Sequence, residues 1–171
     1  ETSMKRLVPL AALALLAAPA ALAGEINVTF SPEFTEELND EYGMREADYL
    51  IEEVQEDLTR ELGKAGLDIA RIDVTILDAK PNKPTFKQLG DTPGLDYGDS
   101  KSIGGMKLSA TAFDASGKAT GDLTYDWYET DIRYAGISTW QDAKRASDRF
   151  ARKFVKELTA DAVRQLENQL A

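Results

Sequence analysis

Two runs of strict alternation, separated by one turn, constrain this chain more than any other feature. In the first, Met106, Leu108, Ala110 and Ala112 interleave with Lys107, Ser109 and Thr111; in the second, Leu123, Tyr125 and Trp127 interleave with Asp122, Thr124 and Asp126. Successive strand side chains point to opposite faces, so each run predicts a half-buried strand. The polar stretch Asp114-Ala115-Ser116-Gly117-Lys118 between them predicts the turn of a β-hairpin. One face of this hairpin belongs to a core and the other to solvent.

The remaining elements follow from their own periods. Ile26, Val28 and Phe30 alternate with Asn27 and Thr29 in a first strand, which Ser31-Pro32 should end. Glu33, Glu36, Glu37, Asp40 and Glu41 crowd the next segment, with Phe34, Leu38 and Tyr42 between them; it reads either as a short amphipathic helical turn or as a loop that packs its apolar residues down. From Met44 to Leu62, Ala47, Leu50, Ile51, Val54, Leu58 and Leu62 keep helical spacing, and Gly63 and Gly66 supply the stop. Ile72, Val74 and Ile76 alternate with Asp73 and Thr75 in another strand. The stretch 80–105 has three prolines, five glycines and no sustained period, so it predicts a long loop, of the kind that is functional or disordered. Phe86, Leu89, Leu95 and Tyr97 favour an ordered loop tethered to the body.

Thr139 is a natural N-cap for a second helix, with Asp142 in its first turn. Ala143, Ala146, Phe150, Phe154 and Leu158 form its apolar stripe, and Val163, Leu166 and Leu170 continue the period. A continuous helix of about thirty residues would be roughly 45 Å long; a break near Thr159 fits the pattern equally. The first helix is acidic on its outer face (Glu46, Glu52, Glu53, Glu56, Asp57) and the second basic (Lys144, Arg145, Arg149, Arg152, Lys153, Lys156). Side by side they would neutralise one another; alternatively the basic face docks an acidic partner. These elements predict an α+β fold, a two-layer sandwich whose mostly antiparallel sheet of about four strands carries two main helices on one face.

At the N-terminus, Lys5-Arg6, the apolar run Leu7–Leu16 and Ala21-Leu22-Ala23 have the order of a secretory signal peptide, too short and proline-broken for a membrane span. Residues 1–23 are therefore read as a tag remnant and a cleaved signal peptide, and 24–171 as a single α+β domain, exported to the periplasm or secreted. A chain of ~150 residues can bury roughly two thirds of its unfolded surface without disulfides, and there is no Cys here to form one or to carry a lipid. The net charge of −10 argues against nucleic acid as a partner.

No catalytic, cofactor-binding or metal-ligating residue can be assigned. The chain has no His, which removes Ser-His-Asp and Cys-His catalysis and HExxH zinc chemistry. There is no SxxK, no P-loop and no GxGxxG. Carboxylates remain: Asp91, Asp96 and Asp99 in the long loop, and Asp122, Asp126, Glu129 and Asp131 along the second hairpin strand and past its end. A pair of them could hydrolyse a glycoside only at a defined separation, which sequence does not give. Among aromatic residues, Tyr125 and Trp127 have core parity, Tyr128 has the opposite parity, and Tyr134 and Trp140 flank the joint into the last helix. With Phe86 and Tyr97 of the long loop, Tyr128, Tyr134 and Trp140 make a candidate interaction surface; the bland alternative is that they staple the last helix to the hairpin.

The segments INVTFSPEF, RIDVTILDAKP and DLTYDWYETDI, with the acidic helix between the first two, resemble a family of small exported proteobacterial proteins of unknown function. A more distant similarity in element order links the chain to periplasmic α/β domains that assist envelope assembly. The resemblance implies export and a two-layer fold and transfers no activity and no site residues. The function expected is a non-catalytic periplasmic or secreted module that binds a protein or cell-envelope component. The alternative is a small-ligand binder or carboxylate-dependent hydrolase with the 80–105 loop as a lid. The chain is not expected to be an integral membrane protein.

Overall fold

The computed structural model describes residues 24–170, so the tag remnant and signal peptide read at 1–23 lie outside the described residues. In chain order the elements are β1 (Glu25–Phe30), α1 (Pro32–Glu37), a π-helical turn (Leu38–Tyr42), α2 (Arg45–Ala65), β2 (Arg71–Lys80), α3 (Phe86–Asp91), β3 (Gly105–Phe113), β4 (Ala119–Tyr128) and α4 (Gln141–Leu170). The sheet runs β1-β2-β3-β4 in space as in sequence. Both pairings of β3 are antiparallel, whereas β1 and β2 are parallel. The sheet is thus mixed. A parallel pair needs a crossover, and the helical stretch between Pro32 and Ala65 is that crossover.

Register explains which side chains are buried. Val28, Val74, Ala110 and Leu123 lie in one row across the sheet, and Phe30, Ile76, Leu108 and Tyr125 in the next. This is the face that α2 and α4 cover, α2 lying on β1 and α4 on β3 and β4. On this face Ile72, Val74 and Ile76 of β2 and Met106, Leu108, Ala110 and Ala112 of β3 are buried completely, together with Leu50, Val54 and Leu58 of α2 and Phe150 and Phe154 of α4. Those of β4 are only half-buried, because β4 is an edge strand. Two cations of α4 complete their cover: the Arg149 guanidinium lies 4.2 Å from the Trp127 ring centroid and the Lys153 ammonium 5.5 Å from that of Tyr125. The opposite sheet face carries Asn27, Thr29, Asp73, Thr75, Ser109, Thr111, Asp122 and Thr124, and among the described residues no helix covers it.

Several local expectations are resolved. Ser31-Pro32 ends β1 by starting α1: Pro32 occupies the first turn, where its missing N–H costs nothing, and Ser31 Oγ accepts from Phe34 N at 3.2 Å. The acidic segment is helical throughout, and its Phe34, Leu38 and Tyr42 are buried. Gly63 does not stop α2; the helix ends at Gly66, whose φ of 62° is the left-handed cap that glycine adopts freely. There is no break at Thr159. Its hydroxyl donates to Val155 O at 2.8 Å, inside a helix that continues to Leu170. Val163, Leu166 and Leu170 are nevertheless exposed, so the last turns of α4 run past the sheet they would otherwise cover.

The two main helices do lie side by side, and Lys144–Glu53 (2.6 Å) and Arg60–Asp148 (2.8 Å) bridge them. The rest of the basic flank turns elsewhere. Arg149 and Lys153 face β4, and Arg152 pairs with Asp148 on its own helix.

Candidate functional site

Everything at one end of the molecule is assembled around a single buried carboxylate. Asp142, in the first turn of α4, is fully buried. One of its oxygens accepts from Asn82 Nδ2 (2.5 Å), Gly104 N (3.2 Å) and Gly136 N (3.2 Å), and the other pairs with Arg145 at 2.7 Å. Asn82, also fully buried, returns the contact by accepting from Asp142 N at 2.8 Å. It further donates to Ser102 O (3.1 Å), and its own amide donates to Thr139 O (2.6 Å). A carboxylate that accepts several N–H bonds and meets one guanidinium is fully satisfied, which is what makes its burial tolerable. Two glycines are required by this packing. A Cβ on Gly136 would lie 2.7 Å from Asn82 Oδ1, and one on Gly104 2.9 Å from Asn82 Nδ2. The knot thereby ties three loop segments (81–84, 102–104 and 135–139) to the start of α4. Thr139, expected to cap this helix, lies two residues before α4 begins at Gln141, and Asp142, expected to favour the amides of the first turn, is drawn into the knot instead.

The same knot orders the 80–105 stretch, which is not loop throughout as its lack of a period predicts but contains α3. At six residues, α3 is too short to show a period, but its start was legible: Thr85 and Gln88 form a capping box, with Thr85 Oγ1 accepting from Gln88 N (3.3 Å) and Gln88 Oε1 from Thr85 N (3.0 Å).

Two hollows flank α3. The first, of ≈ 480 Å³, has Pro81, Pro84, Leu95, Ile103 and Tyr42 as its apolar walls and Lys80, Lys83 and Lys101 as its charges. The second, of ≈ 340 Å³, is an open groove between α2, α3 and the start of α4, lined by Arg45, Glu46, Tyr49, Phe86, Tyr97 and Trp140 among others. Phe86 is 70% exposed, Tyr97 44% and Tyr49 43%. Arg45 lies over the Phe86 ring at 5.0 Å, and Tyr97 reaches Thr139 through a 3.4 Å hydroxyl contact.

The five aromatic candidates therefore separate. Phe86, Tyr97 and Trp140 come together at the groove. Trp140 is itself buried, at 3% exposure, so it is a wall rather than a projecting contact; its Nε1 donates to Glu46 at 2.8 Å and its ring meets Tyr42 edge-on. Tyr134 is exposed on the loop before α4, stacked only by Arg133. Tyr128 is half-buried on the helix-free sheet face, where its hydroxyl donates to Asp78. It ends a chain of polar contacts: Asp78 meets Lys80 (3.3 Å), Lys80 meets Glu37 (2.5 Å), and Tyr42 donates to Glu37 (2.9 Å). Burial and the adjacent carboxylates push both tyrosine hydroxyls well above their ordinary range. Burial alone would lower Lys80, but the Glu37 hydrogen bond and the charges around it outweigh that and raise it. All three groups are thereby held in their protonated forms.

The loop and hairpin carboxylates do not converge. Asp96 accepts from the amides of Gly98 (2.7 Å) and Asp99 (3.0 Å), Glu129 from those of Thr130 and Asp131, and Asp131 binds Arg133. Asp122 and Asp126 stand on the open sheet face. A separate shallow depression gathers Asp40, Glu41 and Asp91, all exposed. Among the described residues no group of three or more Asp or Glu has the geometry to hold a metal ion. Nor, among those residues, is any helix long and apolar enough to cross a membrane.

No protein-family model matches the chain, and no curated protein does. Among solved structures, a minor lipoprotein from Acinetobacter baumannii is similar at 12% identity, with 82% of this chain and 97% of that chain covered and a TM-score of 0.33. A likeness of that degree fixes neither fold nor function.

Proposed function

We propose that the protein is a non-catalytic module, exported to the periplasm or secreted, that binds a protein or cell-envelope component through the groove between α2, α3 and the start of α4. The observation that carries this reading is the exposure of Phe86, Tyr97 and Tyr49 around one groove whose fourth aromatic, Trp140, is fixed in the core. Large aromatic side chains bring much contact area at little entropic cost, and they anchor protein interfaces when they sit on rigid supports. The supports here are a capped helix, a long helix and the Asp142 knot. The acidity of the chain, with a net charge of −10, favours a partner segment that is apolar at its centre and basic at its rim. Neither hollow is lined by two carboxylates, so nothing in them supports the hydrolase alternative.

A photo-crosslinking amino acid placed at Phe86, in the cell that exports the protein, tests the reading. A discrete adduct that disappears when Tyr97 is changed to Ala is expected. An adduct pattern identical to that of the same probe at Thr124, on the open sheet face, would refute it.

A further inference from the structure

We propose that the pocket lined by Lys83 and Lys101 binds a small carboxylate with an apolar body. The inference is independent of the groove and rests on Lys83. This side chain is 9% exposed, and its Nζ donates to Gly98 O at 2.7 Å; among the described residues no carboxylate lies within ion-pair distance of it. An ammonium has three donors and a full charge. Buried beside one neutral carbonyl, it lacks the counter-ion that buried charges ordinarily have.

The contrast with the other lysines is informative. Lys64, Lys80, Lys87 and Lys144 meet a carboxylate, and Lys107, Lys118, Lys153 and Lys156, which meet none among the described residues, stand exposed to solvent. Lys83 meets none and is buried, and it shares its pocket with Lys101, an exposed lysine that also meets none. Lys80, the third lysine there, is already neutralised by Glu37 and Asp78. The pocket thus concentrates uncompensated positive charge in a protein whose net charge is −10.

Its other features define the rest of the ligand. Pro81, Pro84, Leu95, Ile103 and the Tyr42 ring can enclose an apolar body, and ≈ 480 Å³ lies within the ~300–1,000 Å³ typical of small-molecule sites. The hydroxyl of Ser102 and the side chain of Asn82 are already committed to the loop framework, at Pro81 O (2.5 Å) and in the Asp142 knot. The α3 N-terminus is closed by its capping box. The side-chain donors left are the two ammonium groups, the Gln88 amide and the Ser100 hydroxyl, whose oxygen accepts from Asp96 N at 3.1 Å; they suit the two oxygens of a carboxylate, and the lining has no Arg fork of the kind that ordinarily holds a phosphate dianion.

The test is a titration of the full protein with phenylacetate, its neutral isostere phenylacetamide, and inorganic phosphate, followed by amide NMR shifts and calorimetry. Phenylacetate is expected to bind saturably, shifting residues 82–83 and 100–103, and about tenfold or more tighter than the amide, as a charge-assisted contact implies. Lys83→Met keeps the apolar stem and should remove that preference while leaving phenylacetamide binding unchanged. Lys101→Ala, at an exposed position that the fold does not need, should reduce it about threefold. Both effects should shrink as salt is raised. The proposal fails if phenylacetate does not bind, if it binds no better than phenylacetamide, if Lys83→Met or Lys101→Ala binds it as well as the parent, or if phosphate binds as tightly. Phe86→Ala should leave every one of these values unchanged, so the outcome does not depend on the groove.

Discussion

In the body of the protein, rows such as Ile76, Leu108 and Tyr125 run across the sheet beneath α2 and α4, and the stabilising term is apolar area removed from water, spread over some two dozen side chains. In the loop quarter, segments 81–104 and 129–140 bury few large apolar groups and are held instead by the directional bonds of Asn82 and Asp142. Distributed burial degrades gradually, whereas a polar knot fails when one member is lost. The lesson is that the two hollows rest on far fewer residues than the core does.

Asp142→Ala gives the sharpest contrast and the largest expected effect. It leaves the Asn82 amide, two loop N–H groups and Arg145 without their acceptor, and breaking a buried network of this kind costs ~3–5 kcal/mol, or roughly 10 °C in Tm. Phe150→Ala, which opens a cavity in the body, should cost a similar ~3–5 kcal/mol. Hydrogen exchange separates them: Asp142→Ala should lose protection first in 81–104 and 134–140, and Phe150→Ala evenly across the sheet. Equal patterns would mean that the loop quarter is not a separate unit of stability.

Tyr128→Phe probes the polar chain on the other sheet face and should have an intermediate effect. It removes a hydrogen bond to a carboxylate, worth ~1.5–3 kcal/mol at pH 7. Because the native hydroxyl is held above its ordinary range, the folded state keeps a proton that the unfolded state releases above about pH 10. Its contribution is therefore fully present below that pH and is lost as pH rises further. Tyr42 and Lys80 shift in the same sense, so the parent should lose stability steeply in alkali, and Tyr128→Phe less steeply. Urea unfolding followed from pH 7 to 11 reads both effects; an unchanged alkaline slope would show that Tyr128 does not contribute to it.

The body was legible in the sequence for the same reason that it is robust. Alternation in 106–112 and 123–127 and helical spacing in 45–62 and 143–158 repeat the same information many times, so the α+β sandwich follows without any one residue being decisive. The parallel pairing of β1 was not legible, since a period of two fixes which face a residue takes and says nothing of strand direction. The Asp142 knot was invisible because its members, Asn82, Gly104, Gly136 and Asp142, are scattered over sixty residues and share no period; only the glycines, and an Asp in a first helical turn, hinted at it. The capping box at Thr85 and Gln88 was a local signal that the surrounding prolines and glycines masked. Of the candidate surface, exposure separated what aromatic identity could not: Phe86 and Tyr97 project into the groove, Trp140 forms its wall, and Tyr128 and Tyr134 lie elsewhere.

The smallest expected effect concerns the charge pattern that suggested two mutually neutralising helices. Only Lys144 and Asp148 of α4 bridge to α2, through Glu53 and Arg60, while Arg149 and Lys153 rest on Trp127 and Tyr125 at the edge strand. Reversing both to Glu removes two exposed cation–π contacts, each ~0.5–1 kcal/mol, and sets negative charge against the negative faces of the rings. Arg149→Gln with Lys153→Gln should lose the ~1–2 kcal/mol that the two contacts supply together, read by urea unfolding with a shifted emission from Trp127, and the double reversal somewhat more. If the flank instead faced α2, reversal would set carboxylates against Glu53 and Asp57, both buried, and the loss would be several-fold larger with Trp127 emission unchanged. Because no strand among the described residues pairs beyond β4, these two side chains of α4 complete the shielding of its apolar face. The small loss should therefore come with faster exchange confined to β4, which ties the basic flank to the edge of the core.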